Sequence, residues 1–272
     1  MLADYHLHLE NGPLTREYLE EFLRVGRERG LAEIGFSEHI YNFTDSLSLW
    51  PRAWQVQPLA ELSAYLELIA AAKEEGLPVK LGLETDYLEN KEEELAVFLD
   101  RYPWDYVIGS IHHLGDWGFD HPDYRDQWET TDVKEAYREY FRLFSKAARS
   151  GLFDIMAHPD VIKVFGYRPA ETIDDLWEEA AAAMATGGVA VEISTAGLRK
   201  PVGELYPHPD FLRRCKDHNV PIVISSDAHY PEDVGKDFPR AVALARQAGY
   251  DKICLFTARQ RSLVSLLVPF LA

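Results

Sequence analysis

The chain has 272 residues, 47% of them hydrophobic, and carries a net charge of −17 with a pI near 5.0. That length suits one compact domain and that apolar share supplies a full core. The charge argues against a nucleic-acid partner, which needs a basic face, and it repels anions at long range, so a phosphate site would require metal ions or a few local Arg and Lys.

In chain order, "MLADYHL" (1–7) reads as a first strand. No basic segment and apolar run precede it, so no signal peptide is expected. A helical pattern over 15–29 leads to the strand "AEIGFSE" (32–38). Residues 40–57, "IYNFTDSLSLWPRAWQVQ", are rich in aromatic and turn residues and too long for a minimal βα connection, so they read as a loop or lid at the functional end. Helix 58–75 precedes "VKLGLETDY" (79–87), helix 89–101 precedes "YVIGSIHH" (106–113), and helix 132–150 precedes "FDIMAH" (153–158). Helices 171–186, 208–218 and 238–248 precede "VAVEIST" (189–195), "PIVISSD" (221–227) and "KICLF" (252–256). In "VKEAYREYFRLFSKAARSG" apolar residues recur at three and four, and Gly151 stops the run. "EEG", "SG", "TGG" and "QAG" each follow a helix and read as glycine C-caps.

This alternation implies an α/β fold with a parallel sheet and crossover helices, as a single domain over 1–272. Seven or eight repeats suggest closure into a barrel; an open doubly wound sheet is the alternative. No Gly-x-Gly-x-x-Gly or P-loop opens a helix, so nucleotide folds lose support. Cys215 and Cys254 are the only cysteines, which argues against a disulfide framework or a thiolate zinc site and suits a reducing cytosol. No apolar stretch reaches membrane-span length. A cytoplasmic protein without membrane contact is therefore expected; oligomeric state is not legible.

The strand ends carry His6 and His8; Glu38 and His39; Glu84 and Asp86; His112 and His113; His158 and Asp160; Glu192; Asp227 and His229. In a parallel barrel these ends share one face, where catalytic groups collect. Any one of these features has an ordinary explanation: a core histidine, a capping aspartate. Together they would be costly to bury unpaired, and metal ions satisfy several at once. Imidazole with carboxylate and no thiolate suits Zn, Fe or Mn. His6 and His8, like Asp227 and His229, are two apart and can reach one ion together. Glu84 could bridge two ions, a pairing that activates hydroxide and holds phosphoryl oxygens. His121, His208 and His218 fall in loops or helices and read as structural, and His113 should point away from His112 if the strand stays regular.

"DYHLHLE", "GFSEH", "GLETDY", "YVIGSIHHL", "MAHPD", "EISTAGLRK" and "SSDAH", in that order, resemble the PHP (polymerase and histidinol phosphatase) family. The resemblance runs from His6 to about Phe238 and is nearest to its histidinol-phosphate phosphatase branch, through "YVIGSIHHLGDWGFDHP" and "TAGLRKPVGELYP". It implies a distorted (β/α)7 TIM-like barrel and two or three divalent transition-metal ions. It also implies a small phosphorylated amino-alcohol substrate, hydrolysed directly. By motif, one ion would take His6, His8, Glu84 and Asp227; a second would share Glu84 with His112 and His158; a third would take His39 and His229. Relatives often supply a further histidine after the first motif, where this chain has Glu10, the nearest substitute. Glu38 is expected behind the ligands. Asp227 or His229 would serve as the acid for the leaving group, Arg199 as a phosphate clamp with Lys163 and Arg168 as further candidates, and Glu192 to orient the substrate's ammonium or imidazole.

Competing readings are a phosphoesterase acting on nucleotides or nucleic-acid ends, a metal-dependent amidohydrolase, and a non-enzymatic metal-binding protein. The acidic charge opposes polymeric DNA. The fourth strand end, "SIHHL", lacks the lysine that many amidohydrolases modify to bridge metals.

Overall fold

A computed structural model describes residues 1–51, 54, 58 and 60–266. Seven parallel strands follow one another in chain order around a single sheet: β1 (Ala3–Asp4), β2 (Glu33–Phe36), β3 (Val79–Asp86), β4 (Tyr106–Ser110), β5 (Ile155–Met156), β6 (Ala190–Ser194) and β7 (Ile222–Ser225). The first and last strands meet only beyond their ends. Leu7 bridges Ala228 in parallel, with His8 N–H donating to the Ala228 carbonyl at 2.9 Å and Ala228 N–H to that of His6 at 3.1 Å. The barrel therefore closes at its C-terminal mouth, beside the histidines.

Helices α1 (Arg16–Glu28), α2 (Leu62–Glu74), α3 (Glu92–Leu99), α4 (Val133–Arg149), α5 (Asp174–Gly187), α6 (Pro209–Asp217) and α7 (Phe238–Gln247) connect the strands. The apolar spacing in α4 buries Tyr137, Tyr140, Phe141 and Phe144, while Asp132 accepts from the Lys134 and Glu135 amides and satisfies two free donors of its first turn. The expected glycine caps are borne out: Gly76, Gly151, Gly188 and Gly249 all have positive φ, between 70° and 91°. The start of the expected 58–75 helix includes a residue outside the described ones; the described helix begins at Leu62. Of the expected lid, 52, 53 and 55–57 lie outside the described residues, and Ile40–Asn42 and Thr44–Ser46 form short 3-10 turns.

The eighth candidate strand does not join the barrel. Lys252–Thr257 (β8) pairs antiparallel with Gln260–Ser265 (β9) around Ala258 and Arg259, both at positive φ, the twist a two-residue hairpin needs. Its Cys254 and Phe256 close the N-terminal end of the inner core formed by Tyr5, Tyr106, Ile108, Ile155, Ala190 and Val223. Arg259 locks it in place by donating from Nε to Asp154 at 2.9 Å and from Nη2 to the Leu152 carbonyl at 2.7 Å. Period-two alternation decides which residues enter the barrel: Ala190 and Glu192 point in, Val191 and Ile193 join the outer core. The Tyr106 ring needs two glycines beside it, since a Cβ on Gly82 would lie 2.2 Å from its Cζ and one on Gly35 2.2 Å from its hydroxyl. Between β4 and α4 the chain adds an unanticipated short hairpin, His113–Leu114 with Trp117–Gly118, and a 3-10 turn, Pro122–Glu129.

Candidate metal centre

Seven strand ends deliver their side chains to one place at the mouth. His6 and His8 are fully buried, and Glu84, His39 and His158 are nearly so. Glu84 sits at the middle. Its Oε2 lies 3.2 Å from His6 Nε2, 3.5 Å from His8 Nε2 and 2.8 Å from His39 Nδ1. Its Oε1 lies 3.3 Å from His158 Nε2 and 3.7 Å from His112 Nε2. Asp227 Oδ1 is 3.7 Å from His6 Nε2, 3.5 Å from His8 Nε2 and 3.6 Å from His229 Nδ1. Glu10 Oε1 is 3.3 Å from His229 Nε2.

These spacings test whether the residues fit metal ions. Two donors about 2.05 Å from one tetrahedral ion lie roughly 3.3 Å apart. The contacts around Glu84 and Asp227 cluster about that value. Three overlapping triads, His6–His8–Asp227, His6–Glu84–His158 and His8–His39–His229, each keep their ligand atoms within 4.8 Å. His6 Nε2, both His8 ring nitrogens and Glu84 Oε2 are buried without a hydrogen-bond partner among the described residues. Native structures rarely leave such atoms unpaired. The donor set therefore fits divalent metal ions, with Glu84 shared. Two of the donor residues, His158 (φ 23°) and Asp227 (φ 51°), hold left-handed backbone, a strain that buried surroundings enforce at functional sites.

A layer of carboxylates behind the imidazoles fixes their orientation. Glu192 accepts from His6 Nδ1 at 2.7 Å, from the His158 amide at 2.6 Å and from the Ser225 hydroxyl. Asp86 accepts from the His112 amide at 2.9 Å and its Nδ1 at 3.2 Å. With Nδ1 protonated toward the carboxylate, the Nε2 of both rings is left as the free donor to a metal. Glu38 accepts from the Leu9 amide, and Asn42 donates to Glu10 at 2.7 Å. Asp4 accepts from the Ser226 amide at 3.0 Å and the Gly235 amide at 2.9 Å, anchoring the loop that carries Asp227.

Electrostatics separates the imidazoles. Burial, then the charges of His39 and His229, push His8 down to about 3, so it is neutral at pH 7, the form a metal ligand needs. Burial also disfavours charge on His6, yet Glu192, Glu84 and Asp227 outweigh it and hold its pKa well above the ordinary range. Burial works against a charged His112 too, but Asp86 and then Asp120 keep its pKa up at about 10. Burial, reinforced by Glu10, raises Glu38 to about 7.

Four residues expected to meet the substrate make protein contacts of their own. Glu192 has no exposed surface and all its acceptor capacity faces His6, His158 and Ser225, so it cannot meet a substrate. Arg199 Nη2 donates to the Ser226 and Asp227 carbonyls at 2.6 and 3.1 Å and Nε lies 3.4 Å from Asp233, which pins the Asp227 loop, while its Nη1 is buried without a hydrogen-bond partner among the described residues. Lys163 is buried against Asp160 at 2.9 Å and donates to the Leu205 carbonyl at 3.0 Å, while exposed Arg168 pairs with Glu204 at 2.7 Å. Both are committed to a neighbouring network. Among the histidines read as structural, His208 accepts from the Asp210 amide at the start of α6, His218 pairs with Glu178, and His121 accepts from the Asp123 amide. His113, expected to point away from His112, has its Nδ1 3.9 Å from Asp86, the carboxylate that also meets His112, and its ring stacks on Trp54 with centroids 4.0 Å apart.

A cleft of about 690 Å³ opens above Glu84, His39, His112, His158, Asp227 and His229. Tyr41, Trp50 and Trp54 of the 40–57 segment line it, as do Gly118, Asp120 and Tyr124 of the segment after β4, on which Trp54 packs through His113 and the Gly115 carbonyl. Tyr41 stacks on His39 with centroids 4.7 Å apart. Among the described residues no helix is long and apolar enough to cross a membrane.

The PHP domain profile matches residues 4–196. The Deinococcus radiodurans "Probable histidinol-phosphatase" is 37% identical over 91% of this chain and 94% of its own length. The Bacillus subtilis "Histidinol-phosphatase" is 31% identical over 85% of this chain and 95% of its own. A crystal structure of histidinol phosphate phosphatase from Lactococcus lactis, complexed with zinc, L-histidinol and phosphate, superposes with a TM-score of 0.77 at 22% identity, covering 96% of this chain and 98% of that one. That likeness confirms the distorted seven-stranded barrel.

Proposed function

This chain belongs to the PHP domain family, and we propose that it is a metal-dependent histidinol-phosphatase, hydrolysing L-histidinol phosphate to L-histidinol and phosphate. The observation that carries the reading is nearly end-to-end similarity, at 37% and 31% identity, to a probable histidinol-phosphatase and a histidinol-phosphatase. The convergence of six imidazoles (His6, His8, His39, His112, His158, His229) on Glu84 and Asp227 supplies a centre for the chemistry.

Two or three ions of Zn, Fe or Mn would be held there. By the motif assignment, His6, His8, Glu84 and Asp227 would hold one; Glu84, His112 and His158 a second; His39, His229 and Glu10 a third. When bound, such ions supply Lewis acidity toward phosphoryl oxygens and acidify water at neutral pH. Glu84 presents Oε2 to His6, His8 and His39 and Oε1 to His112 and His158, so it would be shared between ions held on its two sides. Glu192 and Asp86 keep His6 and His112 in the tautomer that leaves Nε2 free. Asp227 and His229 stand at the cleft, partly exposed and 3.6 Å apart, where one of them can carry the proton that the leaving alkoxide takes up. Lys200, exposed at the rim, is the lysine the cleft offers a phosphate among its described lining residues, and bound ions would supply the remaining positive charge. The cell interior is the place such an enzyme would work. Phosphate release from histidinol phosphate, measured beside a 3′-nucleotide, tests the reading: a clear preference for the first is expected, and equal or inverted rates would defeat it.

A further inference from the structure

A second cavity, of about 280 Å³, lies outside the catalytic cleft, between α4, the start of α5 and the start of α6. Tyr137, Pro169, Ile173 and Trp177 give it an apolar lining. Most of its charged lining groups have partners of their own: Glu171 pairs with Lys134, Asp174 with Arg214, Asp210 with Arg213 and Arg168 with Glu204. Two buried polar atoms of the lining stay open among the described residues. Asp160 is 2% exposed; its Oδ2 takes the Lys163 ammonium at 2.9 Å and the His208 amide at 2.8 Å, and its Oδ1 has no hydrogen-bond partner. Trp177 Nε1 is buried and likewise has no acceptor. The two belong to one wall, since His208, whose amide meets Asp160, stacks on the Trp177 ring with centroids 5.0 Å apart.

Native structures seldom leave a buried acceptor and a buried donor open on one cavity. A molecule that satisfies both must donate at one end and accept at the other. The accepting end has further support. Helix α5 begins after Ile173, whose side chain cannot cap the first-turn amides, and Ile173, Asp174 and Trp177 all line the cavity, so the positive end of that helix faces it. Because the lining charges are already paired, a ligand with net charge would bring one uncompensated charge, and a zwitterion brings none. The apolar lining suits an uncharged side chain. We propose that this cavity is a non-catalytic binding site for a free α-amino acid with an apolar or aromatic side chain: its ammonium donates to Asp160 Oδ1 and its carboxylate accepts from Trp177 Nε1. Asp160 follows His158 by two residues, and its partner Lys163 lies 5.4 Å over the ring of Tyr206, which lines the cleft. The site thus adjoins the loop after β5 while sharing no lining residue with the catalytic cleft.

Isothermal titration of the metal-loaded protein, with inorganic phosphate present to fill the catalytic cleft, tests this with L-leucine and L-phenylalanine. Each is compared with its des-amino acid, which lacks the ammonium, and with its decarboxylated amine, which lacks the carboxylate. Saturable binding of at least one amino acid is expected, and losing either end should weaken it by about 10-fold or more, the worth of one charge-assisted hydrogen bond. Trp177→Phe keeps a ring and removes the donor; it should weaken the amino acid by about 10-fold, with metal content as in wild type. Ile173→Trp, which fills part of the cavity, should do the same. Absence of saturable binding of both amino acids at millimolar concentration overturns the inference, and so does equal affinity for an amino acid and its one-ended analogues. Either variant, folded and binding as wild type does, would place the amino acid elsewhere and overturn it as well. None of these outcomes depends on which ester the metal centre hydrolyses.

Discussion

Replacing Glu192 by Gln conserves volume and removes one acceptor from a site where every partner donates. The carboxylate receives His6 Nδ1–H at 2.7 Å on one oxygen and His158 N–H at 2.6 Å on the other, with Ser225 Oγ–H beside the first. The amide must place its NH2 on one side. Facing His158, it sets two donors against each other and leaves a buried backbone N–H unpaired, at about 1–3 kcal/mol. Facing His6, it forces the imidazole to accept at Nδ1 and moves the proton to Nε2, the atom 3.2 Å from Glu84. That nitrogen then cannot ligate. Both routes weaken metal binding, by about 10- to 100-fold as for other supports behind metal ligands, equivalent to ~1.4–2.7 kcal/mol. The assay is competition with a chelator of known affinity, followed by elemental analysis, with kcat/KM measured at limiting and saturating metal. Activity should recover partly as metal is added. Wild-type metal affinity and wild-type kcat/KM in Glu192→Gln would refute the claim that this carboxylate sets the His6 tautomer.

His8→Ala and Asp227→Ala should each lose metal and activity while keeping the far-ultraviolet spectrum of the barrel; full metal content in both would remove them from the ligand set. Phe119→Ala empties a fully buried site and should lower unfolding stability by about 3–5 kcal/mol in a denaturant titration. Gly82→Ala drives a Cβ into Tyr106 and should cost about 1–3 kcal/mol, reduced in Gly82→Ala/Tyr106→Ala, where equal losses would show the glycine is not there for the ring. Glu89, held down at about 2 by Arg142 and Lys146, contributes stability that is present above the unfolded carboxylate pKa and is lost as pH falls from about 4.5 toward 2. As a largely exposed pair it is worth about 1 kcal/mol or less, so Glu89→Gln should lower the thermal midpoint slightly at pH 7 and not at pH 2.

Local patterns carried much of this protein. Apolar runs broken by helical periods placed the seven barrel strands in order, the glycine after α2, α4, α5 and α7 marked their ends, and the strand ends named His6, His8, His39, Glu84, His112, His158, Asp227 and His229 before any coordinates. Such features depend on residues near one another in sequence, so the sequence records them. Direction was legible too: alternation along β6 turns Glu192 inward with Ala190. Depth was not. Whether an inward carboxylate reaches the cleft or stops one layer below depends on how neighbouring strands are staggered, and Ser225 of β7 and His6 after β1 decide that for Glu192. Arg199 was legible as a cation after a strand; that its fork meets the Ser226 and Asp227 carbonyls is set by a loop 27 residues away. The segment "KICLF" has every mark of a barrel strand, and only the direct closure of Leu7 on Ala228 leaves it without a place in the ring. By itself, then, the sequence determined which chemistry could gather at the mouth. The tertiary structure decided which groups face the cleft and which hold them there, because burial and staggering are relations between segments that no single stretch contains.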